Sequence, residues 1–148
     1  TLPVTMERLE EHVGVDQEVS SFVLPVGATI NMDGTSVYQA IAAIFISQAL
    51  GFDLTLGNQL TIILTALLAS IGAAAVPGAG MVMLIIVLTS VGIPTEGIAL
   101  IFAVDRILDM LRTSVNVTGD LTITSIIAGS ENQIDLNIAN SEEILGNH

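Results

Sequence analysis

The sequence predicts an all-α membrane protein, and three observations carry that expectation. Only 12% of its 148 residues are charged against 51% hydrophobic, and the mean hydropathy is +0.78. Ordinary soluble domains carry roughly 25% charged residues. Two apolar segments are interrupted by residues that sit poorly inside a helix, "NMDGT" at 31–35 and "GAAAVPGAG" at 72–80. A third apolar segment carries ionisable groups on one face, within "DRILDMLRTSVNVTGD". The abundance of Gly, Ala and Thr suits close helix–helix approach in lipid. A soluble helical bundle is the alternative, and the low charge speaks against it.

Residues 1–20 read as the end of a helix and a polar connector, with Gly14 and Asp16 as breakers. The opening "TLPVT" reads as an interior segment of a longer chain rather than a signal peptide. Residues 21–50 make an apolar stretch of about membrane-spanning length, interrupted by "NMDGT". Side chains of Asn and Asp compete with the helical ladder and Gly loosens it, so the segment predicts two half-helices joined by an unwound turn. Residues 51–95 hold two short apolar arms, 59–71 and 81–91, around the small-residue tip with Pro77. Arms of this length do not span a hydrocarbon core of about 30 Å, which predicts a re-entrant hairpin. Irregular backbone at that depth must be buried in protein or face water. "GIPTEG" precedes a last long helix expected over about 96–128, and residues 129–148 form a polar tail expected to be mobile.

The net charge is −12, from 15 acids against Arg8, Arg106 and Arg112. Many of the acids lie near the two ends. Nucleic acid is excluded as a partner, because phosphate binding needs a basic footprint. The absence of cysteine excludes disulfides, thiolate metal sites and thiol catalysis. His12 and His148 lie in the polar ends, and nothing in the pattern reads as an enzyme's constellation.

On the last helix Asp105, Asp109, Arg112, Asn116 and Asp120 are spaced 4, 3, 4 and 4. Those steps hold all five within a stripe of roughly 80°, with Thr113 on its edge and Arg106 well off it. An Asp109–Arg112 pair could simply tie the helix together, which is worth a few tenths of a kcal/mol. Each ionised group at mid-membrane costs about 2.5–3.5 kcal/mol, so stability alone does not account for the stripe. A guanidinium suits a carboxylate, an aspartate one turn away suits an ammonium, and an amide can donate to a second carboxylate. Together they match an acidic amino acid. Asp120, Asp33 and the carbonyls freed at "NMDGT" are hard oxygen donors, which favour alkali or alkaline-earth cations over zinc. Interrupted hydrophobic segments of this kind are the best sequence pointer to a transporter's binding site.

"TLPVT", "GATINMDGT", "GAAAVPGAG" and "LDMLRTSVNVTGD", in this order and spacing, resemble the dicarboxylate/amino acid:cation symporter family, which includes sodium-coupled glutamate/aspartate transporters. The resemblance covers about residues 1–130 and implies the core of that family's transport domain. Residues 1–11 resemble the end of a first re-entrant hairpin, 21–50 a broken transmembrane helix, 59–91 a second hairpin, and 96–127 the last transmembrane helix. It implies an acidic amino acid, L-aspartate or L-glutamate, moved with sodium by an elevator motion, the second hairpin acting as gate, in a homotrimer of the full-length protein. It also implies a lipid bilayer as surroundings, a multi-pass location in the cell inner (plasma) membrane, and no organic cofactor.

Carried over by residue, Arg112 would take the side-chain carboxylate, Asp109 the amino group and Asn116 the main-chain carboxylate. Thr35, Thr113 and the tip residues Val76, Pro77, Gly78, Ala79 and Gly80 would complete the pocket, with Asp105 beside them. One sodium would use Gly27, Asn31, Asn116 and Asp120. A second would use Thr29, Met32, Ser70, Ile71 and Ala73, and a third Asn31 and Asp33. A proton-coupled glutamate or C4-dicarboxylate symporter, and an ion-conducting pore, are the alternative readings. Met32 in "NMDGT" resembles the sodium-coupled members, and Asp109 one turn before Arg112 resembles the amino-acid carriers.

Overall fold

The computed structural model describes residues 1–73 and 78–145, with side chains described through residue 140. Among these residues the chain is helical, with a single antiparallel bridge between Val15 and Ile134. Helix α1 (Leu2–Arg8) runs into a π-helical turn, Leu9–Val13. Then come α2 (Gln17–Ile30), α3 (Asp33–Ala49), α4 (Leu56–Ile71) and α5 (Ala79–Ser90). A 3₁₀ turn, Thr95–Ile98, leads into α6 (Ala99–Phe102), followed by α7 (Asp105–Ser130) and α8 (Leu136–Leu145).

The chain forms two compact units, one from Thr1–Ala28 with the chain from Val117 onward, the other from Thr29–Asn116. In the first, Leu9, Val15, Leu24 and Ala128 are buried together, with Met6, Leu121 and Ile134 packed around them. In the second, α3, α4 and α5 enclose a core of Ala42, Ala43, Ile46, Ile62, Ala66, Leu84, Val87 and Leu88. Small residues here let the helices approach closely. A Cβ at Gly97 would strike the Ile46 side chain, so the 3₁₀ turn lies against α3 only because this residue has none.

Several boundaries differ from those the sequence predicts, each for a local reason. Asp16 starts α2 rather than breaking the chain, since its Oδ1 accepts from the Glu18 amide at 2.7 Å. Thr55 caps α4 in the same way, its Oγ1 accepting from the Asn58 amide at 3.2 Å. The arms therefore begin at Leu56 and Ala79 rather than at 59 and 81. The last helix is not continuous from 96: a 3₁₀ turn and α6 precede α7, which begins at Asp105. Residues 129–148, expected as a mobile polar tail, contain α8, whose first turn is held by the Asp135 carboxylate on the Asn137 amide at 2.9 Å.

Among the described residues no helix is both long and apolar enough to cross a membrane. The 16 residues of α4 and the 12 of α5 reach about 24 and 18 Å at 1.5 Å per residue. Helix α7 has 26 residues but carries five ionisable side chains between Asp105 and Asp120.

In the first unit Asp16 N–H donates to the Gln133 carbonyl at 3.0 Å, and Asp135 N–H to the Gly14 carbonyl at 2.8 Å. Gly14 has φ +76°, and a Cβ there would stand 2.5 Å from the Asp135 carbonyl oxygen. Replacing Gly14 with Ala should therefore destabilise the fold by about 1–3 kcal/mol. A thermal melt checks this, and an unchanged midpoint would refute it.

Candidate functional site

Helix α7 supplies the stripe and α3 supplies what meets it. Asn116 uses both ends of its carboxamide on α3: Oδ1 accepts from the Gly34 amide at 2.8 Å, and Nδ2 donates to Thr35 Oγ1 at 3.1 Å. Gly34 permits this approach, since a Cβ there would lie 3.0 Å from both Asn116 Oδ1 and Val115 Cβ. Thr35 is buried beneath the contact.

One turn earlier on α7, Arg112 pairs with Asp109 through Nη2. Its side chain is only 10% exposed, and Nη1 is buried with no hydrogen-bond partner among the described residues. The guanidinium carbon stands 5.1 Å from the centre of the Tyr38 ring, a cation–π arrangement. Tyr38 in turn donates its hydroxyl hydrogen to Asp105 Oδ1 at 2.8 Å. At the start of α5, a Cβ on Gly80 would fall on the Arg112 guanidinium, so only glycine lets this helix come so near. The structure thus brings together Thr35, Gly80, Asp105, Asp109, Arg112 and Asn116 within the second unit.

Tyr38 is the member that sequence reasoning missed. It is the chain's single tyrosine, three residues past Thr35 and hence on a neighbouring face of α3. Tyr38 and Arg112 also line a mostly apolar cavity of about 580 Å³ with Val37, Ile41, Phe45, Leu108 and Val115. Asp105, Asp109 and Asn116 do not line it.

Thr113 is half-buried next to Arg112, and Arg106 is exposed. Gly78, at φ +84°, turns the chain into α5, its carbonyl accepting from the Met81 amide at 3.1 Å, and Ala79 is that helix's first residue. Val76 and Pro77 lie outside the described residues. Asn31 and Met32 separate α2 from α3. The Met32 carbonyl accepts from the Thr35 and Ser36 amides at 3.0 and 3.1 Å, and that of Asp33 from the Ser36 hydroxyl at 2.9 Å. Asp33 and Thr29 are exposed and Asn31 is half-buried. At the end of α4 the Ser70 carbonyl accepts from the Ala73 amide at 3.3 Å, Ser70 and Ala73 are buried, and Ile71 is exposed. In the first unit Asp120 is buried at 8% exposure on the face of α7 that meets α2, and a Cβ at Gly27 would stand 2.6 Å from its Oδ1.

The model of the sodium:dicarboxylate symporter family matches residues 1–130. The chain is similar to an excitatory amino acid transporter of Caenorhabditis elegans, 58% identical over 127 residues, which is 86% of this chain and 25% of that protein. It is 62% identical to excitatory amino acid transporter 1 of Rattus norvegicus over 120 residues, 81% of this chain and 22% of that one. Excitatory amino acid transporter 2 of Homo sapiens is 60% identical over 120 residues, again 81% of this chain and 21% of its own. The chain thus spans about a quarter of the length of the curated relatives it matches.

Truncating Asn116 to Ala would leave the Gly34 amide and the Thr35 hydroxyl without this partner. We expect a loss of about 1–3 kcal/mol of stability, read as a lowered unfolding midpoint. No shift would mean that the contact contributes nothing to the packing of α3 on α7.

Proposed function

The chain belongs to the sodium:dicarboxylate symporter family, and from that premise we propose that it forms part of a secondary active symporter for an acidic amino acid. In this reading L-aspartate or L-glutamate crosses the cell inner (plasma) membrane together with sodium, and the protein is a transporter rather than an enzyme. The similarity to excitatory amino acid transporters supports it.

One observation carries the substrate assignment. Arg112 keeps a charged fork under α5 with one arm on Asp109 and the other, Nη1, buried without a partner among the described residues. A buried cation with an unused donor is suited to an anion, and a carboxylate fits the guanidinium best. The substrate's side-chain carboxylate takes Nη1. Its ammonium takes the Asp109 carboxylate, which is a third exposed and so can be reached. Asn116 serves the main-chain carboxylate by its amide hydrogens once these leave Thr35. Asp105 acts through Tyr38, holding the ring on which Arg112 stacks.

Sodium is the co-transported ion. In the first unit Asp120 is the hard carboxylate donor, brought against the backbone at Gly27 because that residue has no side chain to hold it away. In the second, Thr29, Asn31, Met32, Asp33 and the end of α4 at Ser70, Ile71 and Ala73 offer hydroxyl, carbonyl and carboxylate oxygens of the type that alkali ions take. We assign α2 and α3 to the halves of a broken transmembrane helix, α4 and α5 to a re-entrant hairpin, and α7 to the last transmembrane helix. Helices too short or too charged to cross alone fit that assignment, because neighbouring protein satisfies the irregular backbone. The α4–α5 hairpin is the gate over Arg112, the motion is of the elevator type, and the full-length protein is a homotrimer. Substrate and sodium favour the same closed state, so each raises the affinity for the other by an equal factor.

Uptake by the full-length protein in liposomes under a sodium gradient tests both assignments. Arg112→Ala should lower apparent affinity for L-aspartate and L-glutamate by at least about 30-fold, the equivalent of about 2 kcal/mol. Unchanged affinity would remove Arg112 from the substrate site. Asp120→Asn should shift half-maximal sodium activation to higher concentration, and an unaltered sodium dependence would take Asp120 out of ion binding. Uptake driven by a proton gradient without sodium would instead establish the proton-coupled alternative.

A further inference from the structure

Gln39 lies at the middle of the covered face of α3, fully buried, one turn from Thr35 and beside Ala42 and Ala43. Among the described residues neither its Oε1 nor its Nε2 has a hydrogen-bond partner. A buried carboxamide left unsatisfied works against the packing around it, and an apolar side chain would fill the same space without that cost. We infer that Gln39 holds one ordered water molecule inside the second unit, a site independent of the transport reading.

The chemistry of the side chain selects the ligand. A carboxamide presents an acceptor at Oε1 and donors at Nε2. Water donates to the first and accepts from the second, satisfying both without adding charge. A cation would serve Oε1 alone and be opposed by the amide hydrogens. No carboxylate offsets such a charge among the described buried side chains of this unit, whose other polar members are Thr35, Ser47 and Ser70. The hydroxyls of Ser47 and Ser70 already donate to the Ile44 and Leu67 carbonyls, both at 2.8 Å, and Thr35 Oγ1 accepts from Asn116. The hydroxyl hydrogens of Ser47 and Ser70 are therefore already used, while a buried water makes two to four hydrogen bonds and Gln39 offers it two.

An experimental structure of the full-length protein at a resolution that shows ordered water tests this directly. The expected result is a peak within roughly 3.2 Å of both Oε1 and Nε2, unchanged when sodium is replaced by rubidium or thallium. A protein atom bonded to either amide atom, an absence of density, or a heavy-ion peak would each overturn the inference. Gln39→Met supplies a second readout. If a water satisfies the amide, its removal should leave the melting midpoint unchanged or lower. A dry amide predicts a midpoint several degrees higher, because an unsatisfied group has been removed. Should the variant fail to fold, the density at Gln39 in the unaltered protein decides alone.

Discussion

A guanidinium buried in an apolar helix assembly constrains everything placed around it. Arg112 cannot lose its charge, so its surroundings must supply compensation. Asp109 gives it a carboxylate three residues away, and Tyr38 gives it the face of a ring. Tyr38 is itself fixed by its hydroxyl on Asp105. Helix α5 can lie over the charge only because position 80 has no side chain. Stripe, ring and glycine are thus one arrangement, and each member is needed because the charge is there.

Much of this arrangement is legible in the sequence, because spacings of three and four residues place Asp105, Asp109, Arg112, Asn116 and Asp120 on one face whatever surrounds the helix. The place where α2 gives way to α3 is also in view, since Asn31, Asp33 and Gly34 are poor residues for a helix interior. What escapes a linear reading is which polar residue stops a helix and which one starts it. Asp16 and Thr55 have the composition of breakers and act as caps, because their side chains reach amides two and three residues on. Helix α8 has too little apolar periodicity to announce itself, and a carboxylate at its first turn together with backbone bonds to Gly14 and Asp16 holds its start. Tyr38 is missed for another reason. An isolated tyrosine reads as packing until a partner 67 residues away is known.

Glycine recurs at close approaches in both units, and its task differs at each. Gly14 accepts a left-handed turn and a carbonyl from the chain leading into α8. Gly27 lets the backbone meet the Asp120 carboxylate, Gly80 a guanidinium, and Gly97 an isoleucine methyl. A composition rich in small residues thus does more here than let helices pack closely. It allows backbone to come within reach of charge, at positions where any Cβ would have to displace the group it meets.

The bond from the Gly34 amide to Asn116 bears on how the chain acquires its shape. Helix α3 has no side-chain cap of its own at Met32, and the acceptor for one of its first amides stands 82 residues further along. Helix starts are ordinarily stabilised by a neighbour in sequence, so local residues can settle that turn as the chain emerges. Here the first turn of α3 is completed only after α7 has been synthesised and has docked. Order at this point is an outcome of assembly, supplied by a distant helix of the same chain.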